Sequence, residues 1–266
     1  MTQSEELNVL REENARLRVS LEERETFIRK TFGRYLTDEV LEEILTDKGE
    51  LHIGGERRTV SMLFADLRGS TALSEEMDPV DFIRMLNHFL SELIEIINAW
   101  QGNILDFVGD EIVTVFGAPR PSSDLSRDAV GCAVAMQRRM SAVNEWNRSQ
   151  GYPEIAMGIG LHTGDAILGN IGSETRTKYD MIGRNVNVAA RVQSYAKGGQ
   201  ILVTDEVLAA AGELVQVNEA EAMWVRPKGI QTEIKLHSVV GFGKQRIPGA
   251  KSPEDTLAGN CPGKEL

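Results

Sequence analysis

The chain has 266 residues, 40 acidic and 29 basic, for a formal net charge of −11, with 41% hydrophobic residues and two cysteines. A chain of this size buries a sizeable core without covalent staples. Cys132 and Cys261 are too far apart in sequence, and too few, to suggest a disulfide framework, and they fit a reducing compartment. The acidic balance excludes a nucleic-acid binder, which needs a cationic surface. No apolar run approaches the roughly 18–20 residues of a membrane span. The expectation is a cytoplasmic protein with no membrane contact in this chain, and any nucleotide ligand would need local compensation for the charge.

Residues 4–31 carry a seven-residue repeat, with Leu7, Asn14, Leu21 and Ile28 at one core position and Leu10, Leu17, Arg24 and Thr31 at the other. The pattern predicts a parallel two-stranded coiled coil over residues 1–31, in which a buried Asn14 fixes register. The alternative is a solvated amphipathic helix packed on its own domain. A repeat already running at residue 4 raises the expectation of an upstream sensor. Phe32, Leu36, Val40, Leu41 and Ile44 then predict a linker helix within residues 32–54.

From there β and α signals alternate. Thr59–Ala65 predicts a buried strand, and Pro79–Trp100 a long helix with apolar residues at helical spacing. Ile104–Val108 and Ile112–Phe116 predict a hairpin turning at Gly109-Asp110-Glu111. A helix over Leu125–Trp146 precedes strands near Ile155–His162 and Ala166–Asn170, a helix over Val186–Tyr195, a strand at Gln200–Thr204, a short helix and a sheet segment over Val215–Val240. Residues 243–266, without period and rich in Pro, Gly and Lys, predict a disordered tail. The fold class expected for residues 55–242 is α/β (α+β), a mixed and mainly antiparallel sheet flanked by helices, preceded by the coiled-coil helix.

Two carboxylates stand out. Asp66 directly follows the predicted strand Thr59–Ala65, and Asp110 sits at the tip of the hairpin. One such Asp usually caps or turns the chain; two on elements that lie side by side in a sheet suggest Mg²⁺, which takes carboxylate, carbonyl and phosphate oxygens. The four histidines, at 52, 88, 162 and 237, show no metal-ligand spacing.

Phe64-Ala-Asp66-Leu-Arg-Gly-Ser-Thr71, Phe107-Val-Gly-Asp110-Glu111, Gly158-Ile-Gly-Leu-His-Thr-Gly164 with Gly169-Asn-Ile-Gly172, and Tyr179-Asp-Met-Ile-Gly183 running into Val186-Asn-Val-Ala-Ala-Arg191 resemble, in order and spacing, the class III nucleotidyl cyclase catalytic domain. The resemblance covers residues 55–240 and implies a ferredoxin-like core. It implies two Mg²⁺ or Mn²⁺ ions held by Asp66, Asp110 and the Leu67 carbonyl, and transition-state stabilisation by Asn187 and Arg191, four apart on one helix face. Lys228 would reach the terminal phosphates. The family also divides each site between two subunits, so the resemblance implies a homodimer joined through coiled coil and catalytic domains.

Base recognition is where the motifs disagree. Asp106 occupies the position at which adenylate-type members carry Lys and guanylate-type members Glu, while Asp180 occupies the adenine-reading position. Asp106 suits the N–H donors of guanine and Asp180 the amine of adenine. Two carboxylates aimed at one base edge would raise each other's pKa. The expected substrate is ATP, through the Tyr179-Asp180-Met-Ile-Gly183 context; GTP, or unselective use of purines, remains the alternative. A degenerate module that dimerises and binds nucleotide as a regulatory ligand is the competing reading from a different class.

Overall fold

The computed structural model describes residues 3–32, 41, 53–230 and 232–250. The chain divides into two compact units, residues 1–52 and 53–266. In the first, residues Gln3–Phe32 form one uninterrupted helix, α1. Its heptad residues Leu17 and Leu21 are 57% and 64% exposed in the single chain, so the apolar stripe lacks a burying partner there. Apart from Phe32, Leu41, Ile53 and Gly54, the expected linker helix lies outside the described residues.

Among the described residues the second unit is one nine-stranded sheet with helices on its faces. In chain order it runs β1 (Gly54–Leu67), α2 (Ser70–Glu76), α3 (Pro79–Ala99), β2 (Asn103–Val108), β3 (Glu111–Phe116), α4 (Leu125–Ser149), β4 (Met157–Ser173), β5 (Arg176–Ile182), α5 (Arg184–Tyr195), β6 (Ile201–Thr204), α6 (Asp205–Ala211), β7 (Val215–Val225), β8 (Ile234–Phe242) and β9 (Gln245–Arg246). The sheet order is β2-β3-β1-β4-β6-β8-β7, with β5 added to β4 and β9 to β8. Pairing is antiparallel except between β4 and β6. The expected mixed, mainly antiparallel sheet flanked by helices is what forms.

Alternation along β1 divides the core. Leu63, Ala65 and Leu67 join the larger cluster, with Met85, Phe89, Leu93 and Ile97 of α3 and Met136 and Val143 of α4. Val60, Met62 and Phe64 join a smaller one with Val113 and Val115 of β3, Met181 of β5 and Ala189 of α5. The same period of two sends Asp66 and Arg68 toward the α5 side, and Glu111 follows Val113 and Val115 there. Asp78 starts α3 by accepting from the Val80 and Asp81 amides, with Pro79 at the first helical position.

Glycine at position 160 of β4 lets α5 approach the sheet backbone to backbone. A Cβ on Gly160 would lie 2.1 Å from the Gln193 nitrogen, so any larger residue displaces helix or strand.

The structure departs from several expectations. The two strands expected over residues 155–170 are one, β4, because Thr163, Gly164 and Asp165 pair without interruption with Ser61, Val60 and Thr59. Asp66 is inside β1, paired with Gly158, not beyond its end. Strand β5 and helix α2 have no counterpart among the predicted elements. Residues 243–250 are not a structureless tail: the chain reverses at Gly243, β9 pairs with Gly241 and Phe242, and Ile247 is buried. Residues 251–266 lie outside the described residues. Among the described residues no helix is long and apolar enough to cross a membrane. Gly160→Ala is expected to lower the unfolding free energy by about 1–3 kcal/mol, through overpacking of α5 on β4; denaturant unfolding of the variant and the parent measures it.

Candidate active site

Two carboxyl groups, those of Asp66 and Asp110, come together where β1 ends and the β2–β3 hairpin turns, with Glu111 near enough to feel the charge of both. Asp66 and Asp110 lie within hydrogen-bonding reach of each other. Asp110 Oδ2 also accepts from the Leu67 amide at 3.1 Å. Burial, then the bond and charge of Asp110, push the Asp66 carboxyl up to about 6 against the opposing pull of Arg68. Burial and the charges of Asp66 and Asp110 raise Glu111 to about 7. The Leu67 side chain is 2% exposed within the larger core, so only its main chain faces the aspartates.

Arg68 answers part of this negative charge. Its Nη1 donates to Asp66 Oδ2 at 3.0 Å, and its Nη2 donates to the Gln193 carbonyl of α5 at 2.8 Å. Gly158 makes the space, since a Cβ there would meet the guanidinium at 2.4 Å. Crowded carboxylates whose ionised forms repel are suited to a cation. Among the described residues no group of three or more His, Cys, Asp or Glu side chains is arranged to hold a metal ion. A cation at the aspartate pair therefore needs main-chain and substrate oxygens as well, a donor set that fits Mg²⁺ or Mn²⁺ rather than Zn²⁺.

A second group of candidate residues gathers on α5. Val188, Ala189 and Val192 bury one face of the helix, leaving Asn187 and Arg191 exposed on the other. They line a cleft of about 520 Å³ with Ala190, Lys228, Gly229 and Ile230. Lys228 stands in the turn closed by the bond from the Ile230 amide to the Pro227 carbonyl. The structure thus brings Asn187, Arg191 and Lys228 together, while Asp66 and Asp110 do not line that cleft.

The third group is Asp106 and Asp180. They do not face each other as two uncompensated carboxylates: Lys178 Nζ lies 2.6 Å from Asp106 Oδ2 and 3.3 Å from Asp180 Oδ2. This corrects the expectation of direct conflict between them, because an ammonium stands against both charges. Lys178 and Asp180 are two apart on β5 and share a face, opposite Tyr179 and Met181, which pack in the smaller core.

Arg68, Glu111 and Lys178 were absent from the candidate residues. Arg68 and Glu111 adjoin motif positions, and adjacency was the available signal. Lys178 precedes the Tyr179-Asp180 pair on a strand whose mixed polar composition gave no β signal. Three of the four histidines have structural partners, and His52 lies outside the described residues. His162 bonds Thr204 Oγ1 at 2.9 Å, His237 bonds Asp205 at 2.7 Å, and His88 stacks on Trp146.

Comparison with known proteins places this geometry. The family described as the adenylate and guanylate cyclase catalytic domain matches residues 55–240. Adenylate cyclase 1 of Rhizobium meliloti (strain 1021) is 30% identical over 216 residues, covering 79% of this chain and 32% of its own length. An uncharacterized protein of Mycobacterium tuberculosis (strain ATCC 25618 / H37Rv) is 33% identical over 228 residues, covering 85% of this chain and 40% of its own length. The chain thus spans well under half of these curated relatives. Among solved structures, the guanylyl cyclase Cya2 superposes with a TM-score of 0.71 at 38% identity, covering 73% of this chain and 100% of that one. The adenylyl cyclase CyaB from P. aeruginosa superposes with a TM-score of 0.68 at 29% identity, covering 72% and 98%. With the family match spanning most of its second unit, the chain belongs to the class III adenylate and guanylate cyclase catalytic domain family.

Proposed function

We propose that this cyclase domain converts ATP to 3′,5′-cyclic AMP and pyrophosphate, at sites shared between two copies of the chain, for intracellular signal transduction in the cytoplasm. The observation that carries the proposal is the division of the candidate residues: Asp66 and Asp110 meet at the hairpin, whereas Asn187, Arg191 and Lys228 line a cleft that excludes them. Pairing two copies would set the aspartates of one against the cleft of the other. The unburied heptad stripe of α1 supports a parallel coiled coil over residues 1–31 as the element that holds such a pair, with residues 32–54 as linker and 55–242 as catalytic domain.

Two divalent cations held by Asp66, Asp110 and the Leu67 carbonyl would neutralise the triphosphate and acidify the ribose 3′-hydroxyl. In this reading the Asn187 amide orients the ribose. The Arg191 guanidinium meets the charge that develops on the α-phosphate as the 3′-oxygen attacks and pyrophosphate leaves. Lys228, in the same cleft, binds the terminal phosphates as a point charge. Asp180 accepts from the adenine amine. GTP is the second reading, favoured by Asp106 as an acceptor for guanine and by the 38% identity to a guanylyl cyclase structure.

Incubation of the purified chain with ATP or GTP and Mn²⁺, followed by chromatography, is expected to yield cyclic nucleotide and pyrophosphate; product from neither defeats the enzyme reading. Asp66→Ala and Asp110→Ala should each abolish turnover. Asp66→Ala subunits mixed with Arg191→Ala subunits should regain one intact site per heterodimer. No recovery after demonstrated subunit exchange argues against shared sites.

The carboxylate cluster gives a separate prediction. Because the folded-state pKa of Asp66 is raised, its ionisation opposes folding; the penalty is absent below pH ~4 and complete above pH ~6. In EDTA at pH 7, Asp66→Asn should therefore be more stable than the parent, on the order of 1 kcal/mol. Added Mn²⁺ should raise the melting temperature of the parent and leave that of the variant unchanged.

A further inference from the structure

Lys178 stands between two acceptors on the β2 and β5 strands. Its ammonium contacts Asp106 Oδ2 at 2.6 Å and Asp180 Oδ2 at 3.3 Å. The other oxygen of each aspartate is tied to main chain: Asp106 Oδ1 accepts from the Phe107 amide at 2.9 Å, and Asp180 Oδ1 from the Met181 amide at 2.8 Å. Each carboxylate is thus fixed by its own strand and turned toward the same lysine. Partial burial disfavours the charged ammonium, but the hydrogen bonds and charges of the two aspartates outweigh it, and Lys178 is held protonated. The side chains of Lys178, Asp106 and Asp180 are 46%, 44% and 37% exposed, which leaves the group open to a ligand.

An ammonium has three N–H donors, and two here face carboxylates, leaving one for a ligand. The group therefore presents acceptor, donor and acceptor in turn. We propose that Lys178 is a base-reading residue of this cyclase, donating to the purine edge, with Asp180 and Asp106 as the acceptors that complete adenine and guanine respectively. Adenine presents a donor at N6 beside an acceptor at N1, matching Asp180 with Lys178. Guanine presents an acceptor at O6 beside donors at N1 and N2, matching Lys178 with Asp106. The same lysine serves either base, and the choice passes to the aspartates. The inference rests on the cyclase reading above and names the part of the site that reads the base. Its rival is a plain surface ion pair tying β5 to β2, which adds little to stability and nothing to binding.

Calorimetric titration of the full chain with the non-cyclisable α,β-methylene analogues of ATP and GTP, and with tripolyphosphate, separates the two. Lys178→Met should weaken each purine analogue that the parent binds by about tenfold or more and leave tripolyphosphate, which has no base, unchanged. Asp180→Asn should weaken the ATP analogue more than the GTP analogue, and Asp106→Asn the reverse. Adding Asp106→Lys to Lys178→Met returns an ammonium from the β2 side, so binding of the ATP analogue should recover while that of the GTP analogue should not. Unchanged purine binding in Lys178→Met, or an equal loss of tripolyphosphate, overturns the role of Lys178. Lys178→Gln poses the same question should the methionine variant be insoluble. A parent chain that binds neither purine analogue defeats the cyclase reading itself.

Discussion

The pairing of β1 with β4 is the constraint on which the catalytic unit depends. Every residue of β1 is in register with β4, from Gly54 opposite Asn170 to Leu67 opposite Met157. That register fixes three things together. It sends Leu63, Ala65 and Leu67 into one core and Val60, Met62 and Phe64 into the other. It sets Asp66 opposite Gly158, where the missing side chain admits the Arg68 guanidinium. It also brings Gly160 under α5, so that the helix carrying Asn187 and Arg191 packs directly on the strand. A slip of one residue would turn Asp66 into the larger core and Leu67 toward the α5 side.

Against this rigid frame the charged groups are arranged in opposition. Asp66, Asp110 and Glu111 repel one another in a partly buried site, and Arg68 compensates for only part of their charge. A net charge of −11 first weighed against an anionic ligand. Concentrated at the hairpin, the same acidity becomes a reason for cations to collect there, and cations are what a triphosphate needs. The family generally works with divalent metal ions, in keeping with that reading. At β2 and β5 the opposition is resolved differently, by a lysine within the chain.

The motifs made the family legible, and apolar alternation the sheet class, because each depends on local chemistry; the two aspartates that the motifs single out stand close together at the hairpin. Asn187 and Arg191 share an exposed helix face, as their spacing required. Other features were hidden because they depend on residues far apart in sequence. Thr163-Gly164-Asp165 has the composition of a turn, yet it continues β4 because β1 supplies hydrogen-bond partners along its whole length. Strand β5 reads as a polar loop, and only the second half of β4 makes it a strand.

Asp106 and Asp180 mark the boundary between the two kinds of information. The sequence by itself determined that two carboxylates stand at the positions its resemblance to the family assigns to base recognition, and that the reaction class is nucleotidyl cyclisation if those motifs act as they do in the family. It set their electrostatics in conflict, because residues 74 positions apart cannot be seen to share a counterion. Only the tertiary structure decided that Lys178 lies within 2.6 Å of one and 3.3 Å of the other. The reason is physical: β5 is recruited by β4 and β2 by β3, so their meeting is a product of sheet assembly and not of any local propensity.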